Sequence, residues 1–146
     1  MKTVRGQEEM QAAADEVLES VVPGSRANVV SLSGDLGAGK TAFAQAVART
    51  LGVKESVTSP TFIIERVYRL SEERGRGFQR LIHIDAYRLQ DESELKALGW
   101  EEMVSNPHNL ILIEWGERVA SLLPKDAIRL RLSFVDDTTR TITYEH

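Results

Sequence analysis

The sequence contains no cysteine among its 146 residues, which excludes disulfides, thiol catalysis and thiolate metal sites. It also has no apolar run as long as a membrane-spanning helix and no signal-peptide pattern at its start. The formal net charge of −4 argues against tight nucleic-acid binding by the protein surface as a whole. Together these absences predict a soluble, cytoplasmic protein that does not bind membranes.

What the sequence does contain is a complete phosphate-loop pattern, G-x-x-x-x-G-K-[ST], at residues 34–41. Its two fixed glycines let the backbone come closer to a ligand than a Cβ would permit, so that amide groups can surround a phosphate. Lys40 would bring its ammonium to the β- and γ-phosphates, and the Thr41 hydroxyl would bind Mg²⁺. The predicted nucleotide-binding residues of the loop are Gly34, Asp35, Leu36, Gly37, Ala38, Gly39, Lys40 and Thr41.

The segments around this loop are typical of a strand, a turn and a helix. Residues 29–32 form a short run of strand-favouring side chains, and residues 41–51 carry apolar side chains at helical spacing. Gly52 follows as the residue that ends this helix. Residues 110–114 are a continuous apolar run, which indicates a strand covered on both faces of a parallel sheet.

Other segments predict helices on the faces of this sheet and hairpins at its edges. Residues 7–22 have the apolar stripe of an amphipathic helix. Residues 128–135 and 140–144 alternate as in a hairpin, with Phe134 pointing inward. Further strands are predicted at residues 62–70 and 81–85, and short helices at 91–98 and 117–123. We predict one domain over residues 1–146, an α/β P-loop NTPase-like fold with a central, mostly parallel sheet flanked by helices and extended by antiparallel hairpins.

Two acids stand where a phosphate loop needs them. Asp85 and Glu114 each end an apolar run, and the carboxyl ends of parallel strands gather on the nucleotide side of an open α/β sheet. We predict Lys40, Asp85 and Glu114 as the catalytic residues. The residue types alone leave open which of the two acids binds the metal and which orients water.

Several other features allow a structural and a functional interpretation. Trp115 either packs near the nucleotide or seals the core, and residues 58–61 are either a switch segment near the γ-phosphate or a proline turn. His83 is interpreted as a strand histidine with its hydrogen bonds satisfied. Five arginines surround the loop at residues 71–77, which is either a solvated hairpin or a docking surface: Arg66, Arg69, Arg74, Arg76 and Arg80.

Three other functions are compatible with a phosphate loop. A small-molecule kinase would need an arginine-rich lid, for which only the segment from Arg66 to Arg80 qualifies. A GTP-dependent switch would need the N-K-x-D guanine motif, but the three asparagines of the chain are followed by valine, proline and leucine. A scaffold that binds nucleotide without hydrolysing it remains the third.

The order of the motifs resembles one family over nearly the whole chain. After the phosphate loop come Ser59-Pro60-Thr61-Phe62, the pattern H-x-D-x-Y-R-L at residues 83–89, Ile113-Glu114-Trp115, and Leu123-Pro124. H-x-D-x-Y-R-L together with I-E-W is more specific than the phosphate loop. In these features the chain resembles the TsaE family, the ATPase component of bacterial tRNA threonylcarbamoyladenosine synthesis.

The resemblance implies more than the spacing does. It implies an ATP- and Mg²⁺-dependent accessory subunit that works with TsaB and TsaD, which modify the adenosine at position 37 of tRNA, so that tRNA is reached through the complex. By matching positions, Thr41 and Glu114 would bind the metal and Asp85 would lie near the γ-phosphate. Thr61 and Trp115 would lie by the nucleotide, and the stretch around Gln7 near the adenine. Hydrolysis would be slow in isolation, because no arginine can be assigned as an internal finger.

Overall fold

The computed structural model describes residues 1–55, 57 and 65–145. In chain order its helices and strands are β1 (Lys2–Arg5), α1 (Gly6–Glu19), β2 (Asn28–Ser33), α2 (Lys40–Thr50), β3 (Glu65–Arg69), β4 (Arg80–Asp85), α3 (Glu92–Ala97), α4 (Trp100–Ser105), β5 (Asn109–Glu114), a 3₁₀ helix (Gly116–Leu122), β6 (Ile128–Asp136) and β7 (Thr139–Glu145). Within these ranges, no helix combines the length and the apolarity needed to cross a membrane.

One seven-stranded sheet organises the chain, in the order β1-β7-β6-β2-β5-β4-β3. The four central strands, β6, β2, β5 and β4, pair in parallel. Antiparallel partners extend both edges, β7 and β1 on one side and β3 on the other. The predicted fold class is therefore confirmed: a largely parallel centre with antiparallel hairpin additions.

The sheet is buried on both faces, as the continuous apolar run of β5 predicts. Leu110 and Leu112 face a core shared with α1 and α2. Ile111 and Ile113 point to the opposite face, towards α3, α4 and the 3₁₀ helix. Helices therefore cover both sides, and the carboxyl ends of the central strands are left as the open rim where the phosphate loop lies.

The arginine-rich connection between β3 and β4 lies at the other end of the sheet. It leads into the first residue of β4, whereas Asp85 ends that strand on the phosphate-loop side. The Arg74 guanidinium donates to the carbonyls of Arg49 (3.1 Å) and Thr50 (3.2 Å), at the carboxyl end of α2. A cation there satisfies free carbonyls and complements the helix dipole. This loop is thus placed to cap a helix and not to cover a nucleotide.

Three details differ from the sequence predictions. Phe134 is 56% exposed instead of inward: it keeps the register of Leu130 and Leu132 on the same face, but it lies near the end of β6, where its ring packs against Arg140. Helix α1 ends at Glu19 and not at residue 22, since the Ser20 hydroxyl donates to the Val17 carbonyl (2.7 Å). Strand β1 and helix α4 were not predicted. The predictions for residues 58–64, Thr61 among them, lie outside the described residues.

Gly116, directly after Trp115, lies against β2 so closely that it leaves no room for a side chain. A Cβ there would come within 1.9 Å of Ser31 Oγ and 2.9 Å of Ser31 Cβ. We therefore expect Gly116→Ala to lower the free energy of unfolding by about 1–3 kcal/mol, the usual cost of overpacking. Denaturant unfolding measures it. The same substitution in a Ser31→Gly background should cost clearly less, and an equal cost in both backgrounds would contradict this explanation.

Candidate functional site

The phosphate loop connects β2 to α2 and has the backbone that its glycines predict. Gly34 and Gly39 have φ values of 133° and 104°, in the region that favours glycine. A Cβ on Gly34 would lie 2.2 Å from the Leu132 carbonyl oxygen, so no larger residue fits there. Helix α2 then begins at Lys40, and its amino end faces the space where a phosphate would bind.

Lys40 is folded inward against this loop. Its side chain is buried, and Nζ donates to the carbonyls of Gly34 and Asp35, the latter at 2.9 Å. Nζ also lies 4.1 Å from the ring centroid of Trp115. Burial lowers the pKa of Lys40 below its ordinary value, although Glu114 and other nearby acids oppose this shift. The ammonium is therefore incompletely stabilised, which favours an incoming phosphate.

Trp115 reaches Lys40 because its backbone is left-handed, with φ 61° and ψ 36°. This conformation is uncommon for a bulky residue. Hydrogen bonds hold it on both sides: the Trp115 N–H donates to the Leu32 carbonyl (2.8 Å), and the Arg118 N–H donates to the Trp115 carbonyl (3.0 Å). The strained turn directs the indole to the site, which favours the functional interpretation of this residue over the purely structural one.

The carboxylate of Glu114 lies beside the Thr41 hydroxyl, although 73 residues separate them in the sequence. Thr41 Oγ1 is 3.1 Å from Glu114 Oε1 and 3.3 Å from Oε2. His83 Nε2 is 2.6 Å from Glu114 Oε2. Glu114 and His83 are both buried, with 2% and 1% of their surface exposed. The carboxylate is therefore held between one hydroxyl and one imidazole.

These oxygen donors fit a magnesium ion. Mg²⁺ is bound in nucleotide sites by one or two carboxylates together with hydroxyl, water and phosphate oxygens. Thr41 and Glu114 supply a hydroxyl and a carboxylate at the loop, whereas no group of three or more acidic, histidine or cysteine side chains forms a metal cage in the described ranges. The donor set suits a metal that arrives with a nucleotide.

Asp85 ends β4 directly beside Glu114, to which it is register partner. One of its oxygens accepts from the Tyr87 N–H (2.9 Å), which holds the turn after the strand. The two predicted acids thus lie next to each other at the rim, but Glu114 is the one in contact with Thr41.

One cavity of about 410 Å³ brings most of the predicted site together. Tyr87 and Arg88 also line it, although the residues by themselves did not single them out. Both follow Asp85 at the carboxyl end of β4, and that position was the available signal. The cavity is lined by Leu36, Gly37, Gly39, Lys40, Thr41, Ala42, Asp85, Tyr87, Arg88, Glu114 and Trp115.

A second cavity, of about 350 Å³, lies on the other side of the amino end of α2. Gly39 and Ala42 line both cavities, so the two meet there. Gln7 and Met10 of α1 form part of its wall, and the resemblance implies that the stretch around Gln7 would lie near the adenine. Arg140 of β7 lines it too, and donates to the Gly37 carbonyl at 3.0 Å. The geometry suits a ligand with an apolar ring at one end and phosphates at the other.

Comparison with known proteins places this architecture in a family. The family model described as "Threonylcarbamoyl adenosine biosynthesis protein TsaE" matches residues 4–142. A tRNA threonylcarbamoyladenosine biosynthesis protein TsaE from Treponema pallidum is 40% identical over 116 residues, 80% of each chain. Its counterpart from Bacillus subtilis is 36% identical over 137 residues, covering 94% of this chain and 79% of that one.

A solved structure agrees with the sequence relatives. The crystal structure of YdiB from Bacillus subtilis superposes with a TM-score of 0.72 at 29% identity, covering 98% of this chain and 82% of that one. The phosphate loop, the acid beside its threonine and the strand order all occur in a chain that the family model spans almost completely. The protein therefore belongs to the TsaE family of threonylcarbamoyl adenosine biosynthesis proteins.

Proposed function

We propose that this protein binds and hydrolyses ATP with Mg²⁺ as the accessory subunit of a cytoplasmic tRNA-modifying complex. The complex would contain TsaB and TsaD and would form N6-threonylcarbamoyladenosine at position 37. The observation that carries the proposal is the contact between Thr41 and Glu114, next to Lys40 in one cavity. This is the combination of cation, hydroxyl and carboxylate that phosphoryl transfer requires. The tRNA would be reached through the partner subunits.

Each residue of the site has a role in this proposal. The loop amides and Lys40 would hold the β- and γ-phosphates, while Thr41 and Glu114 would hold the metal. Bound Mg²⁺ would neutralise charge that develops on the phosphate oxygens. Asp85, beside Glu114 on the next strand, would orient the attacking water. Trp115 would lie along the phosphates, since its ring already contacts Lys40.

The proposal favours adenine over guanine and hydrolysis over kinase chemistry. The N-K-x-D motif is absent from the sequence. The segment that a kinase would use as a lid begins beside β4 but runs to the opposite end of the sheet, where Arg74 caps α2. In the described part of the chain one arginine, Arg88, lines the phosphate cavity. We propose that TsaB and TsaD supply the further groups that hydrolysis needs, so that it is slow without them.

Nucleotide-dependent assembly tests this function. The protein is mixed with TsaB and TsaD in the presence of ATP and Mg²⁺, ADP and Mg²⁺, GTP and Mg²⁺, or no nucleotide, and complexes are separated by size. We expect a stable complex with ATP that GTP does not support. Assembly that is the same in all four mixtures would contradict a nucleotide-driven accessory subunit, and a phosphorylated small molecule formed from ATP would favour the kinase.

A further inference from the structure

His83 is buried in the centre of β4 and has one hydrogen-bond partner among the described side chains. Its Nε2 lies 2.6 Å from Glu114 Oε2. A carboxylate oxygen accepts hydrogen bonds, so Nε2 donates. The other ring nitrogen, Nδ1, is buried without a hydrogen-bond partner in the described structure. The prediction that this histidine is a fully satisfied strand residue is therefore wrong for Nδ1.

A packing role does not explain a histidine at this position. Its register partner on β5 is Leu112, and Leu81 lies two residues earlier on the same face of β4. A leucine in place of His83 would continue this apolar surface without burying an unpaired nitrogen. An unsatisfied buried polar atom costs free energy and requires a reason. The hydrogen bond to Glu114 is the reason that the structure offers.

We propose that His83 is a positioning residue that holds the Glu114 carboxylate in place beside Thr41. The imidazole donates a hydrogen bond to Oε2 from the β4 side, while the Thr41 hydroxyl lies within 3.3 Å of both carboxylate oxygens. One of these donors lies on β4 and the other on α2, so together they fix the orientation of the carboxylate. Without His83 it could turn away from the loop. Residues that orient a metal-binding side chain in this way typically change metal affinity when they are replaced.

The inference rests on the proposed use of Thr41 and Glu114 for Mg²⁺, so its test includes a measurement without metal or nucleotide. Long-range ¹H–¹⁵N spectra report which ring nitrogen of a histidine carries hydrogen. The chain has three histidines, and the His83 signals are assigned by their loss in His83→Gln. We expect the Nε2–H form for His83, and a shift of its nitrogens in Glu114→Gln. An Nδ1–H form, or nitrogens that do not respond to that substitution, would overturn the proposal.

Two variants then separate positioning from packing. His83→Gln keeps an N–H donor at nearly the reach of Nε2, and His83→Leu fills the space without a donor. The Mg²⁺ concentration that half-saturates binding of a fluorescent ATP analogue should rise about 10-fold or more in His83→Leu. It should rise much less in His83→Gln. Binding of the same analogue without Mg²⁺, and the unfolding midpoint, show whether the fold and the loop are intact.

The results of these measurements distinguish a wrong role for His83 from a wrong Mg²⁺ site. If the wild-type protein binds the analogue with no response to Mg²⁺, the proposed metal site is wrong, while the spectra still decide the role of the histidine. If Mg²⁺ does strengthen binding, but His83→Gln and His83→Leu raise the half-saturating Mg²⁺ concentration equally or not at all, the positioning role is wrong. His108→Gln is the control, since His108 is exposed, and it should match the wild-type protein in both measurements.

Discussion

Replacing Lys40 by methionine is expected to lower ATP affinity roughly 10- to 100-fold, because charge-assisted hydrogen bonds to the phosphates are lost. The same change should leave the free energy of unfolding nearly unchanged. Burial lowers the pKa of Lys40, so the buried charge is held at a cost, and the loss of that cost offsets the loss of the hydrogen bonds that Nζ donates to the Gly34 and Asp35 carbonyls. Binding should therefore change much more than stability.

Equilibrium binding of a fluorescent ATP analogue and denaturant unfolding measure the two effects. Lys54→Met is a matched control, since Lys54 is exposed and lies beyond the end of α2. It should change neither quantity appreciably. A Lys40→Met protein that keeps wild-type affinity would show that the phosphates bind elsewhere. A loss of affinity that only reflects unfolding would contradict a direct role of the buried ammonium in binding.

Glu114→Gln is expected to separate nucleotide binding from hydrolysis. Glutamine has nearly the same shape and can still accept from His83, but it lacks the charge that holds the metal beside Thr41. ATP turnover should fall roughly 10²–10³-fold, the usual effect of removing a group that stabilises transition-state charge. Metal-free nucleotide affinity should stay within a few-fold, because the loop amides and Lys40 remain.

Steady-state phosphate release in the presence of the partner subunits measures this loss. Glu101→Gln provides the comparison, since it removes an exposed acid from the first turn of α4, which does not line the cavity. Equal turnover by the two variants would show that the Glu114 charge has no special role. Asp85→Asn distinguishes the two acids: it should slow turnover without raising the Mg²⁺ requirement.

The parts of the site that depend on local sequence patterns could be predicted from the sequence. The phosphate loop is local, and Asp85 and Glu114 were found because each ends an apolar strand, which fixes the edge of the sheet where it lies. That Glu114 and not Asp85 contacts Thr41 depends on the strand order β2-β5-β4, which puts β5 next to β2. No local pattern contains that order.

The missed features depend on long-range pairing in the same way. His83 reaches Glu114 only because β4 and β5 pair with Asp85 opposite Glu114. Strand β1 has four residues, too few for a clear period, and pairs with β7 at the other end of the chain. Phe134 fits the alternation of its strand and keeps its register, but it lies beyond the part of that face that the core covers, so its ring is exposed. Gly99, with φ 91°, separates two short helices that have little periodicity of their own.

ATP turnover of the protein alone and in complex with TsaB and TsaD, at saturating ATP and Mg²⁺, decides whether this chain is a partner-activated ATPase. We expect slow turnover by the isolated chain, a large increase when both partners are present, and loss of that increase in Glu114→Gln. Turnover by the isolated chain that equals that of the complex, or a partner-dependent increase that survives Glu114→Gln, would contradict this expectation.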